Sequence, residues 1–376
     1  MAKSNIGVDI GATSIKAVQL KGSRGHLKIV RAAQVALPSG AVRNGEVIDP
    51  DEIANALKVL WKTGKFTTKN VTLGIGNENT LARQMNLAWE TEKVFRKALP
   101  LRVGEAFPRI STNNLLLDYH PVDIQEKGSL IEQISLVVAT DADKLRYLIE
   151  AFNIDNFHVQ NIDFNPFALI RAAVLVGENS SQNTKKKNKK NQDENDIEVV
   201  VDVGSQITTI AIHENGQPRY VRTVPKGSEL ATRVLFDKLK ISFEVAEILK
   251  YSLGIEGIEP ARLPVSIAGR INAEQIVAGQ RYLNLVAGDL VGEIRSTVEY
   301  YLGKLVERRR INKIYFSGGG AMMPGLAQRV GSELQTEIAK LNPIALFAVD
   351  SKIDKSAIDP DMGLAFGLAL EAYPNG

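Results

Sequence analysis

Short apolar runs separated by polar turns open the chain. Residues 6–10, 15–20 and 27–35 each have strand length, and Gly22-Ser23-Arg24-Gly25 marks a turn between the second and third. The period then changes. Asp49-Pro50-Asp51-Glu52 supplies the acids and proline of a helix start, and Ile53, Leu57, Leu60 and Trp61 recur at helical spacing. A strand over 70–76 follows. Residues 80–160 are more polar and read as a small inserted αβ subdomain, with strands over 114–119 and 133–140 and a helix over 141–152.

Residues 179–196 carry no apolar side chain and can bury nothing, so they are expected to form a disordered surface loop. Their lysines, Lys185, Lys186, Lys187, Lys189 and Lys190, are offset by Asp193, Glu194 and Asp196. A second strand-turn-strand starts at Ile197. Helices are expected over 226–239 and 243–253, a Gly/Pro-rich connector over 254–272, and a long helix over 272–309. A strand over 313–316, a glycine turn with its helix, and a last helix over 361–371 complete the pattern. The expected organisation is therefore a first lobe (1–80), an insertion (81–160), a connecting helix (161–178), a loop (179–196), a second lobe (197–360) and a closing helix with its tail (361–376).

Composition narrows the function. A chain of 376 residues, 44% hydrophobic and 24% charged, is an ordinary globular balance. The net charge of +3 argues against a dedicated nucleic-acid binder. Cysteine is absent, which excludes disulfides, thiolate zinc sites and a cysteine nucleophile. His26, His120, His158 and His213 are scattered and lack metal-ligand spacing. An acid at Asp9 interrupts the first apolar run, and no stretch approaches the ~18–20 apolar residues of a membrane span. The tail is too polar for an amphipathic anchor. The expectation is a soluble, cytoplasmic protein that meets a membrane only through partners.

The chemistry lies in a repeated pattern. Gly7-Val8-Asp9-Ile10-Gly11-Ala12-Thr13-Ser14-Ile15-Lys16 and Val200-Val201-Asp202-Val203-Gly204-Ser205-Gln206-Ile207-Thr208-Thr209 align Asp9 on Asp202. Each is an apolar strand ending in Asp-x-Gly, a small or polar turn, and a second apolar strand. Such a hairpin brings backbone N–H groups to an anion, and its aspartate can hold Mg²⁺ through water. Lys16 falls seven residues after Asp9, in reach of a phosphate, where the second copy has Thr209. A third element, Phe316-Ser317-Gly318-Gly319-Gly320-Ala321-Met322-Met323-Pro324-Gly325-Leu326, reads as strand, glycine turn and helix, suited to close approach of a nucleotide.

These three elements, in this order, resemble the phosphate and adenosine motifs of the actin, sugar-kinase and heat-shock-chaperone superfamily. Glu247-Ile248-Leu249-Lys250 is similar to its Glu-x-x-Lys that contacts ribose and adenine, and Asp361–Ala369 resembles its closing helix, expected to pack the second half. Within the superfamily the opening motif, Ile162–Ala172, Ile241–Lys250 and the Ser-Gly-Gly-Gly-Ala turn resemble the PilM family of type IV pilus assembly. Pro225-Lys226-Gly227 stands where relatives often have paired glycines.

The resemblance implies an α/β, duplicated actin-like (ribonuclease H-like) two-lobed fold with an inserted subdomain like that of PilM and FtsA. It implies ATP and Mg²⁺ as cofactors. Gly11, Ala12, Thr13, Ser14, Lys16, Gly204, Ser205, Gln206, Gly227, Glu247, Lys250, Gly318, Gly319, Gly320 and Met322 would surround the nucleotide, with Asp9 and Asp202 on water-held Mg²⁺. A water-orienting residue would come from the connecting helix, where Asp163 is the candidate and Asn165 a poor base. The implied partners are the N-terminal peptide of a PilN-like inner-membrane protein and the pilus motor ATPases; self-association is left open. A small-molecule kinase and an FtsA-like division filament protein are the alternatives.

Overall fold

Two sheets are built in the same way from the two halves of the chain. The computed structural model describes all residues except 1–3, 24–25, 90, 107–113, 128–129, 184–196, 258–261, 352, 354–360 and 374–376. Strands β1 (Ser4–Ile10), β2 (Ser14–Lys21) and β3 (Lys28–Ala36) form an antiparallel meander, followed by a small hairpin of β4 (Val42–Arg43) and β5 (Glu46–Val47). Helix α1 (Pro50–Gly64) begins where the acids predict. The Asp49 carboxylate caps it by accepting from the Asp51 and Glu52 amides at 3.1 Å each, a contact worth about 1 kcal/mol. Strand β6 (Asn70–Ile75) then lies parallel to β1.

The insertion follows as β7 (Leu81–Ala88), α2 (Glu92–Ala106), β8 (Leu115–Lys127) and β9 (Leu130–Asp141). Its three strands are ordered β7-β9-β8, and Leu87, Phe95, Leu99, Val103 and Val137 make a small core under α2. The insertion ends at Asp141 rather than near residue 160. The next helix, α3 (Ala142–Asn153), buries Leu148, Ala151 and Phe152 against Ile53, Leu57 and Leu60 of α1, and β10 (His158–Phe164) joins β6.

Helix α4 (Asn165–Asn183) crosses to the second lobe. Residues 179–183 of the expected loop are its last turn, and 184–196 lie outside the described residues. The second sheet comprises β11 (Ile197–Val203), β12 (Thr208–Glu214) and β13 (Gln217–Val224). Helices α5 (Glu229–Leu239), α6 (Phe243–Leu253) and α7 (Ala273–Leu302) cover one of its faces, and β14 (Ile311–Ser317) follows. Helix α7 starts with an Asn272/Gln275 capping box and stops seven residues before the expected 309, with Gly303 as its C-cap. A 3-10 turn (Gly319–Met322), α8 (Leu326–Leu334) and β15 (Glu337–Lys340) complete that lobe.

The chain then returns to the first lobe. After α9 (Pro343–Leu346), β16 (Ala348–Val349) pairs with β3, and α10 (Gly363–Ala369) packs on β1, β2 and α4. The closing helix thus covers the first sheet, not the second, because glycines let two backbones touch. A Cβ on Gly7 would stand 2.1 Å from the Ala365 carbonyl oxygen, and one on Gly367 2.0 Å from that of Ala168. The orders β3-β2-β1-β6-β10 and β13-β12-β11-β14-β15 are the same topology repeated. Between the sheets, α4 and α10 share a core that joins Val18, Leu20 and Ile29 to Val200, Ala211 and Tyr315.

Candidate functional site

Each Asp-x-Gly segment folds as the hairpin its sequence predicts. The Gly11 amide donates to the Ser14 carbonyl at 3.0 Å, and the Gly204 amide to the Ile207 carbonyl at 2.9 Å. Asp9 pairs across its hairpin with Lys16, and Asp202 with Thr209, so the spacing seen in sequence is a cross-strand register. The two hairpins face each other over one cleft of about 230 Å³ lined from both lobes. Asp9, Gly11, Ala12, Thr13, Ser14, Lys16, Asp202, Gly204, Ser205, Gln206, Glu247, Gly318, Gly319 and Gly320 all line it.

Charge is concentrated on its floor. Lys16 Nζ lies 2.5 Å from Asp361 Oδ2, and Asp361 Oδ1 accepts from the Gly318 amide at 2.7 Å and Ser317 Oγ at 3.2 Å. Burial pushes the Asp9 carboxyl up to about 6 against the pull of Lys16, with Asp361 adding to the rise. Burial, then the neighbouring carboxylates of Asp361 and Asp9, push Asp202 up as well. A bound divalent cation would favour the ionised forms that burial disfavours. The far wall is glycine. Gly318 takes φ +90° so that the chain can turn under the second hairpin, and a Cβ on Gly319 would meet nothing within 4 Å. The donor set and the space fit a nucleotide polyphosphate with water-held Mg²⁺.

With this geometry in place, comparison with known proteins decides the family. The description "Type IV pilus assembly protein PilM" matches residues 7–256. The chain belongs to the PilM family. A second description, cell division protein FtsA, matches residues 199–362. FtsA of Bacillus subtilis (strain 168) is 23% identical over 364 residues, covering 90% of this chain and 78% of that protein. FtsA of Streptococcus pneumoniae serotype 2 is 21% identical over 352 residues, covering 86% and 72%. Among solved structures, a chain of a PilM–PilN type IV pilus biogenesis complex superposes with a TM-score of 0.78 at 20% identity, over 99% of both chains. The ethanolamine utilization protein EutJ of Carboxydothermus hydrogenoformans gives 0.53 at 16% identity, over 98% and 89%. The fold is actin-like.

Four residues singled out in this PilM-family sequence stand outside the cleft lining. Asp163 is ion-paired with Arg171, which also donates to the Gly367 carbonyl, so it braces α10 rather than facing the cleft. Asp163 stands near the end of β10 and not on the connecting helix, which begins at Asn165 and presents that amide to the cleft. Among the described residues the buried Asn165 Oδ1 has no hydrogen-bond partner. Lys250 is 1% exposed and sits behind Glu247, with both carboxylate oxygens at 2.9 Å and Thr232 Oγ1 at 3.0 Å. Burial holds its pKa below the usual lysine range despite Glu247. Gly227 packs on the Ser205 carbonyl, and Met322 is exposed. The main omission was Asp361: read only as the start of the closing helix, it is a floor carboxylate. Tyr251, which donates to the Gly319 carbonyl at 3.2 Å, was also missed, although it directly follows Lys250.

Proposed function

We propose that this protein is a cytoplasmic Mg-ATP-binding component of a type IV pilus assembly platform, which docks the N-terminal peptide of a PilN-like membrane protein and couples to the pilus motor ATPases. The observation that carries the nucleotide reading is the pair of facing hairpins, with Lys16 and three carboxylates on one floor. Backbone amides of the two hairpins and Lys16 would hold the phosphates, Glu247 and Tyr251 would meet the nucleoside, and Asp9 and Asp202 would hold the hydrated cation. When bound, Mg²⁺ supplies charge neutralisation of the phosphates.

The same geometry argues for retention over turnover. Asn165, the connecting helix's contribution to the cleft, is an amide and cannot accept the proton of an attacking water. Nucleotide then acts as a structural ligand or switch. Among the described residues no helix is long and apolar enough to cross a membrane, which agrees with attachment through a partner. A small pocket of about 30 Å³ beside the insertion, lined by Glu46, Val47, Asn77, Thr140 and Leu145, marks the proposed peptide seat, which would have to widen to admit a peptide. It shares Ile10, Gly45 and Gly74 with the nucleotide cleft, so occupancy of one can be felt at the other.

The test is calorimetric titration with ATP in magnesium and in EDTA, then with a PilN-like N-terminal peptide with and without ATP. Magnesium-dependent ATP binding and a saturable peptide isotherm are expected. No ATP binding would sink the cleft assignment, and no peptide binding in either state would sink the partner assignment.

A further inference from the structure

A second groove lies on the opposite side of the insertion, where its sheet meets the second lobe. It holds about 920 Å³ and is walled by β7 and β13, each an edge strand of its sheet, with the end of α7 closing one side. His120 Nε2 and Gln217 Oε1, 2.9 Å apart, tie the two sheets together beside it. Neither the nucleotide cleft nor the proposed PilN-like seat uses any of these residues.

Its electrostatics are one-sided. Arg83 on β7, Arg219 on β13, and Lys304 and Arg309 beyond α7 put a cation on every wall. The acids lining it are Asp123 and Glu214; Glu214 accepts from Tyr301 Oη at 2.8 Å and Arg309 Nη1 at 2.7 Å, with Arg219 Nε 3.1 Å away. One acid is thus shared by two of the four cations, and Lys304 Nζ lies over the Tyr300 ring at 4.3 Å, leaving the lining with an excess of positive charge. Between the cations the lining is apolar, with Val122, Ile134 and the half-exposed Tyr300. A groove that sets cationic beside apolar side chains, drawn from β7, β8, β9, β13 and the end of α7, suits an extended chain carrying both carboxylates and apolar side chains.

We infer that this groove docks an extended acidic segment of a partner protein, in which carboxylates alternate with apolar side chains. The carboxylates meet Arg83, Arg219 and Lys304, and the apolar side chains meet Val122, Ile134 and Tyr300. The inference is independent of the nucleotide and PilN-like readings.

The experiment uses the full chain and a fluorescein-labelled heptapeptide alternating glutamate and valine, read by fluorescence anisotropy. A lysine/valine heptapeptide and labelled oligothymidylate are the comparison probes. Saturable binding of the acidic peptide alone is expected, with at least a tenfold loss in Arg83→Glu/Lys304→Glu. Both positions are solvent-exposed, so that variant keeps its fold, checked by unchanged thermal melting and ATP binding. Carbodiimide coupling should join the peptide to Lys304. Equal binding of the lysine peptide, preferred binding of oligothymidylate, no effect of charge reversal, or coupling confined to Lys185–Lys190 would each overturn the inference.

Discussion

Lys16 and Asp361 are 345 positions apart and meet at 2.5 Å, which makes the cleft floor a property of side chains that no local pattern relates. Lys16→Ala is expected to weaken ATP binding roughly tenfold to a hundredfold, the worth of a charge-assisted contact of about 1.5–3 kcal/mol, as calorimetry will show. Asp9→Ala and Asp202→Ala should abolish Mg-ATP retention on a desalting column; unchanged affinity in both would displace the cation site. His213 makes a contribution to acid stability of opposite sign to that of the raised Asp9 and Asp202 carboxyls. Burial lowers the His213 pKa to about 4 from the ordinary 6.5. The unfolded chain therefore takes up this proton first, and the share of stability that His213 contributes is lost as pH falls from 6.5 towards 4, by up to ~3 kcal/mol. In urea melts across that range, His213→Gln should remove this share of the slope. The Asp-x-Gly turns were legible because their chemistry is contained in a few consecutive residues. Asp163 was misplaced because it ends a strand, and its partner, Arg171, belongs to the following helix; only side-chain packing decides which carboxylate faces the cleft.

Among the elements, strands were the easiest to read. The meander and its repeat have alternating or fully apolar runs bounded by glycine and polar turns. The first formed within two residues of expectation, and the second starts at the expected Ile197 but adds a third strand, β13, that was not expected. Strand β7 and helix α2 escaped notice: β7 buries little of its surface, and α2 contains Pro100. The closing helix depends on contacts that its own residues do not announce. Gly367→Val should force α10 away from α4 and lower stability by about 1–3 kcal/mol, measurable by differential scanning calorimetry. Lys250→Met tests the support behind Glu247. Because Glu247 is 43% exposed on its side chain and can be rehydrated, the stability loss is expected near 2 kcal/mol, below that of a fully buried pair. Its ATP affinity should fall as well, since Glu247 loses the group that holds it at the cleft wall.

For the whole molecule, the cleft joins the lobes, and the Asn44 amide already donates to Gln206 Oε1 across its mouth at 2.8 Å. A ligand bound by both halves should stabilise them together. At a hundred times its Kd, Mg-ATP is expected to add about 2.7 kcal/mol to unfolding, and EDTA should remove most of that gain. The repeat of the hairpin, the helical stripes and the glycine turn determined a duplicated α/β chain with a phosphate-type cleft, because each is a short-range pattern of apolar period or backbone freedom. The tertiary structure alone decided where the last segment goes. β16 and α10 return to the first lobe, α3 leaves the insertion, and Asp361 comes to rest beside Lys16. Those outcomes depend on which apolar faces remain uncovered and which backbones can approach within van der Waals contact. Such facts belong to pairs of distant elements, and no single stretch of sequence contains them.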